Sequence, residues 1–377
     1  MARRLRVALV FGGSSVEHEV SLSSARSVLS AIDQARFEVL PVGITRDGRW
    51  LAGPRSLEVL EAGGAPADGA RPCALLADPN VAGLRVQDGS DAALKQSHVP
   101  VDVVFPLIHG RHGEDGSLQG LLEMTGIPYV GCGVLASALC MDKEASRRLL
   151  HGASMPVVES MCLMDRPWER DWKGIERRVA DTVGYPCFVK PANGGSSVGI
   201  VKVGKAGKLR SALEEANRYD RKLLVERAVE AREIEVSVLG NEEPQATVPG
   251  EIEPASEFYD YEAKYVDEGS RLHVPAPLTR AQTEQVRRLA LEAFRTLGCE
   301  GMARVDFLLD RRGGALYVSE VNTVPGFTPI SMYPKLWQAS GLAYPRLIER
   351  LIELACARHR RNARLVTSYE RRARSLP

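Results

Sequence analysis

In the first third of the chain, short apolar runs alternate with stretches whose apolar positions recur every three to four residues. Val7 to Phe11, Phe37 to Ile44 and Val101 to Ile108 read as buried strands, and Leu22 to Ile32 as a helix between the first two. That order predicts a parallel α/β sheet. From Arg46 to His98 the pattern loosens, and EAGGAPADGARP has the Gly, Pro and Ala content of a surface excursion, so no chemistry is expected there. Ser117 to Gly126 predicts a short helix closed by glycine. Ile127 to Val130 then reads as a strand leading to a domain boundary near Gly133.

The middle third predicts a helix over Leu135 to Leu150, a strand over Val157 to Leu163 and a helix over Trp168 to Thr182. The strand Cys187 to Lys190, a glycine-serine turn and the strand Leu223 to Glu226 follow. The last third carries strands at Glu233 to Leu239 and Ala303 to Leu309 and an amphipathic helix from Arg280 to Leu297, an α+β pattern. Thr279 and Gln282 suit a capping box, and Val286, Leu289, Ala290, Ala293, Phe294 and Leu297 share the helix's apolar face. Beyond Arg358 the arginine-rich tail is expected to be a solvated end.

Charge and cysteine content narrow the function classes. Lys plus Arg (49) nearly balances Asp plus Glu (48) in 377 residues, so no overall field favours nucleic acid or an anionic membrane. Seven scattered cysteines without a CxxC pair argue against a disulfide framework or a zinc site and suit a reducing cytosol. The N-terminal apolar run ends at Gly12 and Gly13, too short for a signal-peptide core, and no apolar stretch approaches the roughly 20 residues that span a bilayer.

The segment FVKPANGGSSVGIVKV (188–203) ends one strand in a lysine and turns through Gly-Gly-Ser-Ser into another. Backbone N–H groups and hydroxyls of such a hairpin can wrap phosphate oxygens beside a fixed positive charge; an ordinary hairpin is the plainer alternative. Arg304 and Asp306 lie two apart on one strand, as do Glu320 and Asn322 on the next, so each pair points to one face. Asp306, Glu320 and Asn322 together offer the hard oxygen ligands that Mg²⁺ takes, with Arg304 beside them for developing negative charge. The alternative is an exposed face of salt bridges. Pro325, Gly326 and Phe327 then make a tight turn whose backbone can approach a ligand.

The runs FGGSSVEHEVS, HGRHGEDGSLQG, MDKEASRRLL, FVKPANGGSSVGIVKV, YDYEAKY, GMARVDFLL and EVNTVPGFTPISMYP occur in order along the chain. Through them the sequence resembles the D-alanine-D-alanine ligases over nearly its whole length. The resemblance implies a three-domain ATP-grasp fold, α/β then α+β, divided at residues 1–133, 134–226 and 227–377. It implies ATP as cosubstrate, D-alanine as substrate, two Mg²⁺ or Mn²⁺ ions, a homodimer and a cytoplasmic enzyme of peptidoglycan synthesis.

Residue by residue, the resemblance sets Lys143 and Lys190 on the nucleotide phosphates, with Glu226, Ala228, Val229, Glu233 and Lys264 completing the nucleotide site. Asp306, Glu320 and Asn322 would hold the metals. Glu17 would take the ammonium of the first D-alanine, with His109 nearby, and Glu17, Ser196 and Tyr265 would form a hydrogen-bonded trio closing a loop. Arg304 and the Gly326 N–H would stabilise the oxyanion, and Ser331 would contact the second substrate. Gly194 departs from the pattern, since an acidic residue often stands there, and a looser loop is expected. The competing readings are a ligase that joins D-alanine to D-lactate or D-serine, and a non-catalytic nucleotide or D-amino-acid sensor. The YDYEAKY segment speaks against the ester-forming enzyme, and the complete set of Arg304, Asp306, Glu320 and Asn322 against the sensor.

Overall fold

The computed structural model describes residues 3–65, 68–88, 95–253 and 271–366. Its strands form three sheets. The first is built on β1 (Leu5–Gly12), whose alternate side chains serve two cores. Val7, Leu9 and Phe11 pack with Leu22, Ala25 and Val28 of α1 (His18–Ala31), while Ala8 and Val10 pack with Leu118 and Leu122 of α3 (Ser117–Thr125). Burial on both faces is why β1 is a continuous apolar run. Its neighbours β2 (Phe37–Ile44) and β7 (Val103–Pro106) are both parallel to it, as expected.

Although the pattern of residues 46–98 is loose, four strands in it extend the sheet, while most of EAGGAPADGARP lies outside them. β3 (Trp50–Ala52), β4 (Arg71–Leu75), β5 (Gly83–Asp88) and β6 (Lys95–Pro100) extend it beyond β2, each antiparallel to the last, with the short α2 (Ser56–Glu61) between β3 and β4. The sheet is therefore mixed. β3 is only three residues long and β4 has no clean alternation, so neither produces a strand-like pattern. The strand expected at Ile127 to Val130 is reduced to one bridge between Tyr129 and Val104.

The helix expected from Leu135 to Leu150 is two helices, α4 (Val134–Met141) and α5 (Lys143–Gly152). Asp142 breaks it by leaving helical geometry and capping α5, its carboxylate accepting from Glu144 N and Ala145 N (3.1 and 3.0 Å). Asp171 likewise caps α6 (Trp172–Thr182), so Trp168 falls in a preceding 3₁₀ turn. The second sheet is antiparallel, in the order β10 (Val201–Val203), β9 (Cys187–Pro191), β11 (Lys222–Arg227), β8 (Ser160–Met164). α6 and α7 (Leu209–Ala216) share its core through Ile175, Val179, Leu209 and Leu213. β8 starts later than expected because Val157 instead bridges Val318.

The third sheet runs β15 (Arg271–His273), β14 (Gly250–Glu253), β12 (Ala231–Gly240), β16 (Gly301–Asp310), β17 (Leu316–Asn322), with β13 (Gln245–Ala246) paired to β12. α8 (Arg280–Thr296) covers it, carrying the expected capping box and apolar face. α9 (Met332–Ala339) follows, and α10 (Tyr344–Asn362) sends Leu347, Ile348, Leu351 and Ile352 into the core of β1. First and last thirds thus share one core. The helix continues past Arg358 to Asn362, and Arg361 pairs with Glu300 (2.7 Å), so the expected solvated tail does not begin at Arg358.

Arg358 locks this joint. It is 6% exposed, donates to the carbonyls of Gly131 and Tyr129 (2.8 Å for the latter), and stacks 4.4 Å above the Tyr129 ring. Arg358→Leu would strand both carbonyls and should lower stability by roughly 2 to 4 kcal/mol. Urea denaturation measures this, and a loss under about 0.5 kcal/mol, the level of an ordinary surface substitution, would show the contacts to be idle.

Candidate active site

The sheets meet around a cleft of about 1350 Å³ lined by residues from all three thirds of the chain. On its second-sheet wall, Lys190 at the end of β9 donates to Glu226 Oε1 on the adjacent β11 (2.7 Å). Glu226 is 2% exposed and its other oxygen pairs with Arg147 of α5. Burial pushes the Glu226 carboxyl up, but Lys190 and Arg147 outweigh it and bring it down to about 2. Lys143, also on α5, donates to the Gly194 carbonyl (2.6 Å) and lies 3.5 Å from Glu320. The Gly194 carbonyl thus ties the glycine-serine loop to α5. Ala228, Val229 and Glu233 line the cleft where β11 leads into β12.

The loop between β9 and β10 bends over the cleft toward the first sheet. Ser196 and Ser197 adopt left-handed backbone (φ 48° and 58°), and Ser196 Oγ donates to Glu17 Oε1. The backbone approaches closely here: a Cβ at Gly195 or Gly110 would lie 3.0 or 2.6 Å from Glu17 Oε2. Two members of the expected trio therefore meet. Tyr265, and Lys264 beside it, lie outside the described residues.

On the third-sheet wall, Asp306 and Glu320 are cross-strand partners, and Arg304 faces Asn322. Arg304 grips Asp306 with two hydrogen bonds (2.7 and 2.6 Å) and lies 3.0 Å from Glu235, while the Asn322 amide donates to Asp306 (2.9 Å). Among the described residues no group of three His, Cys, Asp or Glu side chains is arranged to hold a metal. The set here is two carboxylates and an amide. It fits a hard divalent ion that draws its other ligands from phosphate and water, since three hard oxygen donors leave the rest of the shell open, although Arg304 and Lys143 compete for both carboxylates.

The first third supplies the remaining wall. His109 Nδ1 lies 2.8 Å from the Val324 carbonyl and Nε2 3.1 Å from Ser24 Oγ, so the buried imidazole spans two segments. Burial holds it below the usual histidine range, against the opposing charge of Glu17. Gly326 lines the cleft, whereas Ser331 sits behind it, bonded to Thr328 Oγ1 (2.7 Å).

Two family patterns match this chain: "D-ala D-ala ligase N-terminus" over residues 6–132 and "D-ala D-ala ligase C-terminus" over 149–353. The chain belongs to the D-alanine-D-alanine ligase family. It is 48% identical over 361 residues to a D-alanine-D-alanine ligase of Heliobacterium modesticaldum, covering 96% of this chain and 97% of that one. A Geobacillus kaustophilus relative of the same name is 44% identical, with 98% and 100% covered. Among solved structures, the Coxiella burnetii D-alanine-D-alanine ligase superposes with TM-score 0.81 at 35% identity, covering 96% and 97%. A D-Ala:D-Ser ligase from Enterococcus faecalis superposes with TM-score 0.83 at 35% identity, covering 94% and 100%. The fold is the ATP-grasp arrangement of this family.

Sequence reasoning missed Glu114, although it stands in the run HGRHGEDGSLQG, five residues after His109. Glu114 accepts from Gly110 N (2.6 Å) and Val324 N (2.9 Å) and lines the cleft beside Glu17. It also missed Glu235 and Arg147, whose contacts, one between neighbouring strands of the third sheet and one from α5 to β11, no local spacing reveals. Burial, then the charge of Glu17, push the Glu114 carboxyl up to about 8 from an ordinary 4.5. The native protein then holds a proton that the unfolded chain releases near 4.5, so stability should fall as pH rises between those values and level off above about 8. Glu114→Gln should flatten this slope in urea denaturation from about pH 5 to about pH 9. An unchanged slope would mean that Glu114 titrates like a surface carboxylate.

Proposed function

We infer that this protein ligates two D-alanine molecules to D-alanyl-D-alanine, converting ATP to ADP and phosphate, and so supplies the dipeptide of peptidoglycan precursors. The observation that carries it is identity of 44 to 48% along nearly the whole chain to proteins named for that reaction. The similar fold of a D-Ala:D-Ser ligase keeps D-serine as a second acceptor to test, at the lower identity of 35%. We assign residues 1–133 to first-substrate binding, 134–226 to the phosphate-gripping part and 227–377 to the metal and second-substrate part, in a cytoplasmic homodimer. No helix among the described residues is long and apolar enough to cross a membrane.

A carboxylate is a poor electrophile, so the first D-alanine takes the γ-phosphoryl group of ATP and becomes an acyl phosphate. Lys143 and Lys190 would neutralise the phosphates, with Glu226, Ala228, Val229, Glu233 and Lys264 around the nucleoside. Asp306, Glu320 and Asn322 would hold two Mg²⁺ or Mn²⁺ ions, which when bound supply charge neutralisation at the transferring phosphoryl group. Glu17, with His109 near it, would take the ammonium of the first D-alanine. The amine of the second D-alanine, oriented by Ser331, then attacks the acyl carbon. Arg304 and the Gly326 N–H would receive the oxyanion before phosphate leaves. Closure of Ser196 on Glu17, which Tyr265 would join, would keep water from the acyl phosphate.

Mixing purified protein, Mg-ATP and a panel of D-amino and D-hydroxy acids should give D-alanyl-D-alanine as the main product by mass spectrometry. Lys190→Ala and Glu320→Gln should each cut phosphate release by on the order of 100-fold or more while circular dichroism stays native. A different main product would overturn the substrate reading. Near-normal turnover in either folded variant would overturn the site.

A further inference from the structure

α5 carries two cations on one face, Lys143 and, four residues on, Arg147. Lys143 reaches the cleft. Arg147 does not line it: the side chain is 5% exposed, and its Nε and Nη1 have no hydrogen-bond partner. Its ion pair is with Glu226, through Nη2. Burying a guanidinium, which stays charged, for a single partner is costly, and the cost calls for a compensating role.

Glu226 is divided between two cations, Oε1 facing Lys190 and Oε2 facing Arg147. Were Lys190 its sole partner, the pair would be neutral. A phosphate oxygen drawing Lys190 away would then strand a carboxylate that is 2% exposed, at heavy cost. With Arg147 present the trio carries a net positive charge, and one cation remains on Glu226 when the other turns to the nucleotide.

We propose that Arg147 is a positioning residue for nucleotide binding, the standing countercharge that holds the Glu226 carboxylate while Lys190 exchanges it for a phosphate oxygen. The proposal rests on the assignment of Lys190 to nucleotide phosphate. It separates phosphate recognition from nucleoside recognition: the exchange matters for ADP and ATP and not for adenosine, which offers no phosphate.

Equilibrium binding of ADP and of adenosine to the purified full chain, with Mg²⁺ present and D-alanine absent, tests it. Arg147→Met should weaken ADP about tenfold and leave adenosine within about twofold, the loss expected for one charge-assisted contact. Arg147→Lys should recover most of the ADP affinity. In a Lys190→Ala background Arg147→Met should cost ADP nothing further, since the exchange it supports is gone. Should Arg147→Met not fold, Arg147→Gln and Arg147→Lys carry the same comparison. Equal losses of ADP and adenosine would overturn the proposal, because Arg147 would then serve Glu226 in nucleoside binding alone. Additive losses with Lys190→Ala would overturn it as well. A wild-type protein that binds ADP no tighter than adenosine would take down the phosphate assignment of Lys190 and this proposal with it.

Discussion

The cleft depends on the joint between the first sheet and the turn that follows β17. His109 meets the Val324 carbonyl across 215 positions of sequence, and Glu114 accepts the Val324 N–H across 210. Ser24 adds a bond from the Phe327 N–H (3.3 Å), and the Phe327 ring packs edge-on to Phe105 at 5.8 Å. These contacts are buried or partly buried, so water cannot easily replace them, and each satisfies a backbone group of the turn. The distance between Glu17 and Gly326 is therefore set by one continuous core. Glu17 and Gly326 come from opposite ends of the chain, yet they belong to a single packed body.

The cleft also holds more charge than a protein interior tolerates singly. Its cations are committed to neighbouring acceptors: Lys190 to Glu226, Lys143 to the Gly194 carbonyl and Glu320, Arg304 to Asp306 and Glu235. Mutual neutralisation lets these groups be buried during folding. It also sets the terms on which a polyanion enters. Under the proposed function phosphate competes with carboxylates for the same lysines, so affinity would reflect an exchange of partners rather than new ion pairs formed from nothing.

What the sequence displayed and what it concealed divide along the range of the interactions. The capping box at Thr279 and Gln282 is a three-residue relation, and the face shared by Arg304 and Asp306 is a two-residue one, so both were legible. The run of Val7 to Phe11 announced a parallel strand because burial on both faces removes alternation. β3 and β4 were hidden because the first is three residues long and the second buries no side chain fully, so neither carries a strand's periodicity. Asp142 was read inside a helix because its neighbours are helix formers, and only its cap reveals the break. Arg147 and Glu114 were invisible as site residues, since their meaning lies in partners 79 and 210 positions away.

The glycine-serine loop brings these strands of reasoning together. Two non-glycine residues in left-handed backbone cost of order 1 to 3 kcal/mol each, and such geometry persists only where surroundings impose it. Here the surroundings are the Lys143 bond to Gly194 on one side and the Glu17 bond to Ser196 on the other. Gly195 and Gly110 leave room for Glu17 to reach that serine, which any side chain would obstruct. Closure of the loop is thus secured by a lysine and a glutamate that, under the proposed function, also hold phosphate and the substrate ammonium. A group that binds substrate and holds the loop with the same carboxylate couples occupancy to exclusion of water. Under that function the acyl phosphate would form only where the cleft is already closed over it.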